Sequence, residues 1–404
     1  MNILLVRPPA RYVTGSISPS INLPIGLMSI AAVLEEGGHL VTLYDAQVNL
    51  TNPVSSFDDY LHMGDPWEDI EKKIAAHTPD VIGITCPFST QLANTNLLAI
   101  LARKIHPAVI IVVGGAHPSV KPVDFLAADS AVDIVCIGEG EYTLLEIARI
   151  VDQGGLPVTV AGTAHNFNDI FTVNPPRPRI GNLDELPFPA YHLLKMDDYF
   201  SLFRKGYTDR PTIYREGSER TVSIVTSRGC PFDCIFCSIH LHMGKRWRGH
   251  SSSYVLNLVK MLIEAFGIQH VHFEDDNISF NRERFSEIVN GLGALSSRIS
   301  WDTPNGVRVD TLTEELIKRC KASGCTYLVF GVESGSQRVL DTIVNKSLDL
   351  KTVLSAASWC KEAGLDAMAF FVIGFPGESP VEMRDTVEYA LRLYKDYDST
   401  FAPM

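Results

Sequence analysis

The chain has 404 residues, a length that suits two domains of ordinary size. Its 35 Lys and Arg residues against 47 Asp and Glu residues give a net charge of −12 at pH 7, which argues against a general binder of nucleic-acid backbones. The apolar runs are far shorter than the ~20 residues of a membrane span, and the N-terminus lacks the apolar stretch of a secretory signal. We therefore expect a cytoplasmic globular protein that binds neither nucleic acid nor membranes.

The first 154 residues alternate five short apolar runs with helical patterns. The predicted strands are Asn2–Val6, Leu40–Tyr44, Val81–Thr85, Val109–Val113 and Ile134–Ile137. Continuous apolar strands are typical of a parallel sheet covered on both faces, so we expect a doubly wound, flavodoxin-like α/β domain over 1–154. Such sheets bind ligands at the carboxyl ends of their strands. The candidate binding residues at those ends are Pro8, Thr85, Gly114, Gly115, His117, Gly138, Glu139 and Gly140.

A change of composition separates this domain from the rest of the chain. Residues 155–215 combine a predicted hairpin with five prolines between 175 and 189, and we interpret them as a linker. A second α/β series fills 216–404 and predicts a parallel (β/α)6 TIM-like barrel. Its predicted strands are Val222–Thr226, His270–Glu274, Ile299–Thr303, Tyr327–Val332 and Met368–Ile373. A sixth strand begins only at Ser399, so we expect a partial barrel that is cut short at its C-terminus.

Three of the eight cysteines, Cys230, Cys234 and Cys237, lie within eight residues directly after the first barrel strand. The turn-forming and polar residues among them do not suit a buried core, and thiolates select soft metals and iron–sulfur clusters. Three ligands leave one iron of a four-iron cluster open to bind another molecule. A zinc site, with His240 or His242 as the fourth ligand, is the alternative that this pattern leaves open.

The C-x3-C-x2-C spacing, with Phe236 directly before the last cysteine, resembles the motif of the radical S-adenosylmethionine (SAM) superfamily. The resemblance implies that the three cysteines hold a 4Fe–4S cluster, whose fourth iron chelates the amino and carboxylate groups of SAM. It also implies a one-electron donor such as flavodoxin or ferredoxin. The electron cleaves SAM to methionine and a 5′-deoxyadenosyl radical, which abstracts a hydrogen atom from the substrate.

Polar or glycine-rich residues follow each later barrel strand, at the edge where a barrel places its active site. Taken singly, each of these segments also suits a turn with a capping carboxylate. The resemblance implies contacts to the SAM amino group after the second strand, to the ribose and carboxylate after the fourth, and to adenine after the fifth. The candidate SAM-binding residues are Phe236, Asp275, Asp276, Asn277, Arg308, Glu333, Ser334, Gly374, Phe375 and Pro376. The sequence singles out no general base.

The order of the two domains, together with the linker segment 183–191, resembles the cobalamin-binding branch of this superfamily. The resemblance implies cobalamin on the first domain and methylation of an unactivated carbon in a small, natural-product-type substrate. Cyclisation or rearrangement without methyl transfer is the alternative. The Asp-x-His-x-x-Gly motif, whose histidine binds cobalt in many cobalamin domains, is absent from the sequence. His117 is interpreted either as a contact to the corrin or its phosphate, or as a loop histidine bonded to the backbone.

Two other functions share part of this sequence pattern. Methylthiotransferases share the barrel but hold a second cluster through three N-terminal cysteines, whereas residues 1–229 contain Cys86 and Cys136 alone. A non-catalytic cobalamin-binding module with an incomplete barrel is the other rival. The intact cysteine motif argues against such a module, because a barrel without chemistry has no need of three cluster ligands.

Overall fold

A computed structural model describes residues 1–15, 19–167, 170–207 and 220–403, with the backbone alone for 401–403. The chain divides into two compact units, the first made of Met1–Gly181 and Glu185–Thr212 and the second of Asn182–Asp184 and Ile213–Met404. Asn168 and Asp169, at the tip of the predicted hairpin, lie outside the described residues. So do residues 208–219, which include the predicted boundary between linker and barrel, and the last residue of the predicted barrel domain.

The first unit consists of a large sheet, a small sheet and helices. Its described residues form the strands β1 (Asn2–Arg7), β2 (Ala10–Val13), β3 (Leu40–Asp45), β4 (Val54–Ser56), β5 (Tyr60–Met63), β6 (Val81–Thr85), β7 (Ile110–Gly114), β8 (Ile134–Cys136), β9 (Thr163–Phe167) and β10 (Ile170–Val173). Its helices are α1 (Ile25–Glu36), α2 (Trp67–Ala75), α3 (Leu92–Ile105), α4 (Ala116–Val120), α5 (Glu141–Asp152) and α6 (Met196–Arg204).

Five parallel strands in the order β3-β1-β6-β7-β8 form the centre of the large sheet. This is the flavodoxin order, and it confirms the predicted doubly wound α/β domain. The apolar strand residues are buried because helices pack on the sheet: Leu4 and Val6 of β1 join Ile82 and Ile84 of β6 in one core cluster, with Leu98 of α3 against them. All of the parallel strands end at the same edge, where the candidate binding residues follow.

The described part of the predicted linker belongs mostly to this first unit. Strand β9 pairs antiparallel with β8, and β10 pairs antiparallel with β9, so the hairpin extends the large sheet by two strands. A separate antiparallel sheet in the order β2-β5-β4 was not predicted from the sequence. Its strands have three or four residues each, too few for a periodic pattern to stand out.

The second unit alternates strands with helices. Its described strands are β11 (Thr221–Ile224), β12 (Ser227–Arg228), β13 (Arg248–Gly249), β14 (His270–Phe273), β15 (Ser300–Val307), β16 (Cys325–Glu333), β17 (Asp366–Phe371) and β18 (Thr400–Pro403). Its helices are α7 (Ile239–His242), α8 (Ser252–Phe266), α9 (Arg282–Gly293), α10 (Glu314–Ala322), α11 (Leu350–Ala363) and α12 (Pro380–Tyr397), and a π-helical turn covers Val339–Val344.

Six parallel strands form one sheet in the sequential order β11-β14-β15-β16-β17-β18. Each strand returns to the sheet after one or more helices, which is the (β/α) succession of a TIM-like sheet. The sixth strand, of which the sequence suggested the start, pairs with β17. The carboxyl ends of the six strands therefore share one edge, and the cysteine loop follows the first of them.

Helix α12 was not predicted, although its start carries a clear signal. Ser379 accepts a hydrogen bond from the backbone of Glu382, the Glu382 side chain accepts one in return from the backbone of Ser379, and Pro380 occupies the first turn. This capping box is a recognised helix start. Of the helices that the structure describes, none has the length and apolar character needed to cross a membrane.

Candidate functional site

The cysteine loop runs from β12 to α7, and its three thiols are half-buried and form no disulfide. Gly229, just before the first cysteine, has φ +82°, and a Cβ there would lie 2.7 Å from the backbone oxygen of Arg246. Only glycine suits this close backbone approach. The Cys237 amide donates to the Cys234 carbonyl (3.0 Å), which fixes the turn between these two thiols. The loop therefore presents three soft ligands on a defined backbone.

Charged groups surround the thiols. Burial raises the pKa of the Cys234 thiol, against the Lys346 ammonium and the Arg308 guanidinium, which lower it. Burial also raises the pKa of Cys237, and Lys346 again opposes the change. Without metal, both thiols are thus protonated at neutral pH, and metal binding must displace those protons. The two cations suit a site in which thiolates and their cluster bring negative charge.

A buried ion pair lies at the end of β16. Lys346 Nζ is 2.6 Å from Glu333 Oε1, and the side chains are 9% and 6% exposed. Glu333 has φ +75°, the left-handed region that residues with a Cβ rarely adopt, and such strain is common at functional sites. Its second oxygen, Oε2, is buried and has no hydrogen-bond partner among the described residues. A buried acceptor is costly without a donor, so this oxygen suits a ligand hydroxyl or amine.

Arg308, the residue directly after β15, supports the same pair. Its guanidinium donates two hydrogen bonds of 3.3 Å to the carbonyl of Lys346 and pairs with Asp310 at 2.8 Å. The guanidinium carbon also lies 3.7 Å from the ring centre of Phe232 in the cysteine loop. Arg308 therefore links the Lys346 segment to the cysteine loop. Sequence reasoning missed Lys346, because a single lysine in a loop carries no spacing pattern.

The two neighbouring carboxylates after β14, Asp275 and Asp276, have different surroundings and different roles. Asp275 is 1% exposed and accepts hydrogen bonds from the backbone and hydroxyl of Thr226 and from the hydroxyl of Ser227. Its oxygens are thus occupied in holding the end of β11. Burial, and then the Asp275 charge, raise the pKa of Asp276 to about 7, although the Gly229 amide donates to it. Asp276 is exposed enough to meet a ligand, whereas Asp275 positions the loop.

Asn277 completes this segment beside the first cysteine. Its Nδ2 lies 3.8 Å from Cys230 Sγ, a weak donor contact to sulfur. Its Oδ1 is buried without a hydrogen-bond partner among the described residues. Asn277 thus combines a donor for a cysteine sulfur with an acceptor that a ligand can use.

The segments after β16 and β17 are tied to each other and to the cysteine loop. Ser334 is fully buried, accepts from the amide of Ser336 (3.1 Å), and its Oγ lies 3.2 Å from Thr386 Oγ1, so its hydroxyl is used internally. Glu378 accepts hydrogen bonds from the amides of Gly374 (2.7 Å) and Phe375 (3.1 Å). The Phe375 ring stands 6.0 Å from the ring of Phe236. Pro376 is exposed.

In the first unit, His117 has the most distinctive surroundings at the carboxyl edge of the large sheet. Its Nδ1 lies 2.8 Å from Ser89 Oγ, and its Nε2 lies 3.1 Å from Asp124 Oδ2. The partners are side chains, so the alternative of a histidine bonded to backbone was wrong. Gly115 has φ +132°, and a Cβ there would lie 2.6 Å from the Cys86 carbonyl oxygen, so only glycine suits this turn.

The other candidates at this edge have mainly structural contacts. The Pro8 carbonyl accepts from Gln47 Nε2 (3.0 Å), and the Gly138 amide donates to Ser119 Oγ (2.9 Å). Glu139 accepts from the amide of Ile180 (3.0 Å). Thr85 and Gly114 pair in the sheet, and Gly140 lies close to Ile30, whose Cδ1 would be 2.8 Å from an added Cβ.

Two family models match the chain in the predicted order. The B12 binding domain matches residues 16–148, and the Radical SAM superfamily matches residues 224–390. The second match includes all three cysteines, which favours an iron–sulfur cluster over the zinc alternative.

Relatives cover nearly the whole chain. An uncharacterised methyltransferase of Pyrococcus horikoshii is 32% identical over 397 residues, covering 98% of this chain and 79% of the relative. The cytidylyl-2-hydroxyethylphosphonate methyltransferase of Streptomyces wedmorensis is 31% identical, covering 96% and 76%. The solved structure of the radical SAM methyltransferase TsrM from Kitasatospora setae, with tryptophan and a SAM analogue, has the same fold with a TM-score of 0.75 at 19% identity, covering 99% and 72%. The chain belongs to the family of radical SAM enzymes that carry a B12-binding domain.

Proposed function

We propose that this protein is a cobalamin-dependent radical SAM methyltransferase that methylates an unactivated carbon of a small, natural-product-type substrate. One observation carries the proposal: the cysteine loop, beside a buried Glu333 oxygen that has no partner among the described residues, follows a B12-binding domain in a chain that is 31–32% identical to two proteins named methyltransferases. When bound, the 4Fe–4S cluster supplies single electrons to SAM, and cobalamin carries the methyl group. The electrons come from a small donor such as flavodoxin or ferredoxin.

The second unit contributes binding, orientation and charge. Cys230, Cys234 and Cys237 hold the cluster, and the Lys346 and Arg308 cations beside them balance its negative charge. Asp276 and Asn277 Oδ1 accept hydrogen bonds from the SAM ammonium, and the buried Glu333 Oε2 accepts one from a ribose hydroxyl. Asn277 and Glu333 are buried, so they meet the polar groups of SAM where water is largely excluded, which strengthens each of these two interactions, whereas Asp276 is exposed. The turn Gly374–Pro376, in which Phe375 is buried and its two neighbours are exposed, would contact adenine.

The first unit supplies the surface for cobalamin. Exposed apolar side chains border the residues around His117. Phe88 precedes Ser89 and Val123 precedes Asp124, and these two side chains and Val120 are 44–66% exposed. A corrin ring is a broad and largely apolar surface, and a patch of this kind is typical of a ligand site. His117, whose two ring nitrogens face Ser89 and Asp124, would present its ring at the rim of this surface. The glycine-rich strand ends at 114–115 and 138–140 would allow cobalamin to approach the backbone closely.

A cyclase is the second candidate, favoured by one specific observation. The anaerobic magnesium-protoporphyrin IX monomethyl ester cyclase of Rubrivivax gelatinosus is 24% identical over 411 residues, covering all of this chain. A cyclase uses the SAM radical without donating the SAM methyl group. The two candidates therefore differ in the fate of that methyl group.

The test follows the methyl group directly. The reconstituted protein is incubated anaerobically with cobalamin, a one-electron reductant and SAM labelled in its methyl group. We expect S-adenosylhomocysteine and labelled methylcobalamin, because methyl transfer to cobalamin precedes any reaction with substrate. Formation of 5′-deoxyadenosine without S-adenosylhomocysteine would replace the methyltransferase by a cyclase or rearrangement enzyme. A chain that forms neither product is a binding module.

A further inference from the structure

A second cluster of ligand-type side chains lies away from the cysteine loop. His270 and His272 of β14 and Asp302 of β15 are 2%, 5% and 0% exposed. Their ligand atoms lie within 4.8 Å of one another. Neither the cysteine motif nor the proposed cofactor sites use any of the three residues. The cluster therefore needs an explanation of its own.

Strand register brings the three side chains to one face of the sheet. His272 pairs with Asp302, and His270 pairs with Ser300, so all four side chains share a face. The alternate residues Phe273 and Trp301 point the other way, where their rings meet edge to face at 5.7 Å. Since Trp301 also contacts Phe285 of α9, that second face is the helix-covered one, and the cluster lies on the inner face.

The cluster is separate from the cofactor site along the strand. His270 is the first residue of β14, whereas Asp276 follows the end of that strand. With a rise of about 3.3 Å per strand residue, roughly 15–20 Å separate these two positions. A ligand of the cluster would therefore act on the fold of the sheet rather than on bound SAM.

The two ring nitrogens and the two oxygens of Asp302 already lie close together. Nε2 of His270 lies 2.9 Å from Asp302 Oδ2, Nδ1 of His272 lies 2.7 Å from Asp302 Oδ1, and the two nitrogens are 3.3 Å apart. Tetrahedral zinc with bonds of about 2.0–2.1 Å separates its ligand atoms by about 3.3–3.4 Å. Outward shifts of about half an ångström, with one oxygen of Asp302 turned toward both nitrogens, would make room for the ion.

The outer contacts also suit a metal ligand. Nδ1 of His270 lies 2.7 Å from Ser300 Oγ, and that hydroxyl is 3.2 Å from the Gln269 carbonyl. Histidines that bind metals usually give their second ring nitrogen such a partner, which fixes the tautomer and the ring orientation. Ser300 thus leaves Nε2 of His270 directed at the centre of the cluster.

Burial adds a further argument. Asp302 has no exposed surface, and each of its two oxygens faces one ring nitrogen of the histidine pair. A divalent ion at the centre of the cluster would neutralise a carboxylate there and face both rings at once.

We propose that His270, His272 and Asp302 bind a divalent transition-metal ion, with Zn²⁺ as the natural occupant, at a site independent of the iron–sulfur cluster. Two imidazole nitrogens and one carboxylate oxygen form a donor set that suits zinc, and water completes the tetrahedron. The ion clamps β14 to β15, and these strands lead to Asp276 and Arg308 at the cofactor site.

The test uses the reconstituted, cofactor-loaded protein. After treatment with a chelator and desalting, the protein is offered Zn²⁺, and bound zinc is measured by mass spectrometry and by X-ray absorption at the zinc edge. We expect one zinc per chain, with nitrogen and oxygen ligands near 2.0 Å, imidazole scattering and no sulfur. Absence of bound zinc, or zinc bound by sulfur alone at the cysteines, would overturn the proposal and leave a closed histidine–aspartate hydrogen-bond network.

Variants distinguish the proposed metal ligands from Ser300, which only hydrogen-bonds the ligand His270. Asp302→Asn is expected to weaken zinc binding at least a hundredfold, whereas Ser300→Ala keeps one zinc per chain and weakens binding about tenfold. Replacing the three cysteines by alanine is the matched control and leaves the nitrogen- and oxygen-bound zinc in place. If Asp302→Asn does not fold, the proposal is tested by the zinc-edge spectrum of the unmodified protein and by the zinc affinity of the Ser300→Ala variant. Unchanged affinity in Ser300→Ala would contradict the assigned role of that hydroxyl.

Discussion

The Glu333–Lys346 pair dominates the electrostatics of the second unit's site. Both side chains are buried, and one carboxylate oxygen is left for a ligand. Placing two charges in a buried site is costly, and their attraction offsets this cost only while both partners are present. Because the pair also stands beside the cysteine loop, its loss affects the fold and the cofactor site together.

A double-mutant cycle tests this pair at the residue scale. Glu333→Gln should destabilise the cofactor-free protein by about 3 kcal/mol, since it leaves a buried ammonium without its counter-charge. Glu333→Gln combined with Lys346→Met should recover at least half of that loss, because neither charge remains buried. The measurement is thermal and denaturant unfolding under anaerobic, reducing conditions. Additive losses in the double variant would show that the two charges do not depend on each other.

Asp276 gives the site a dependence on pH. Its pKa of about 7 in the folded protein exceeds the value of about 3.9 expected in the unfolded chain. Between these two values the folded state binds more protons, so the stability of the cofactor-free protein falls as the pH rises from 4 to 7. At pH 8 Asp276 destabilises the folded state to its full extent. At pH 5 this destabilisation is only partial.

Asp276→Asn should therefore raise the melting temperature of the cofactor-free protein at pH 8 and change it much less at pH 5. The exposed residue Asp129, changed to Asn, serves as the matched control and should show no such difference. Equal effects of Asp276→Asn at both pH values would contradict the raised pKa. The same variant should weaken SAM binding, because the amide has no charge to offer an ammonium.

The sequence predicts residues of this site unequally, for a physical reason. The three cysteines stand within eight residues, so local spacing reveals them. Lys346 meets Glu333 only because a π-helical turn and a left-handed Asn345 bring the chain back, which no local pattern encodes. Asp275 and Asp276 look equivalent in sequence, yet one carboxylate is consumed by Thr226 and Ser227 while its neighbour stays accessible.

At the scale of elements, the end of β16 sets the space in which the ion pair forms. A Cβ at Gly331 would lie 2.9 Å from Lys346 Nζ and 3.0 Å from Glu333 Oε1. Both distances are shorter than ordinary contacts, and the neighbours are buried and paired. The strand therefore needs glycine at this position for the ion pair to take its place.

Gly331→Ala should preserve the fold but displace the ammonium, at a cost of about 1–3 kcal/mol, and weaken SAM binding about tenfold. Gly293→Ala at the end of α9 is the matched control, because its added Cβ meets Ser323 Cβ at an ordinary 3.4 Å. SAM affinity is measured by anaerobic calorimetry on the cluster-loaded protein. A Gly331→Ala variant with unchanged affinity would separate the ion pair from SAM binding.

Helices and strands were predictable where the pattern of apolar residues was long and regular. The apolar strands of both sheets and helices such as α8 and α11 follow clear patterns, and the structure places them there. Helix α12 was missed although Ser379, Pro380 and Glu382 mark its start, because its few buried residues give a weak apolar stripe. The small β2-β5-β4 sheet was missed because strands this short depend on neighbours that are distant in sequence.

At the scale of the whole molecule, the order of a flavodoxin-type sheet and a (β/α) sheet was readable from the sequence, and the family models match in that order. The sequence indicated a linker over 155–215. In the structure, β9 and β10 of this segment extend the sheet of the first unit, and composition does not reveal such a tertiary pairing. The two units carry separate proposed sites. Loss of one cofactor should therefore leave the site for the other intact.

The central claim is that this one chain holds both an iron–sulfur cluster and cobalamin. The most direct test is anaerobic reconstitution with iron, sulfide and hydroxocobalamin, followed by desalting and assays of iron and cobalt, on the unmodified protein and on the variant with Cys230, Cys234 and Cys237 changed to Ala. We predict about four irons and one cobalt per chain in the former, and cobalt without iron in the latter. Four irons without cobalt would contradict the account, because the methyl-transfer function would then have no carrier.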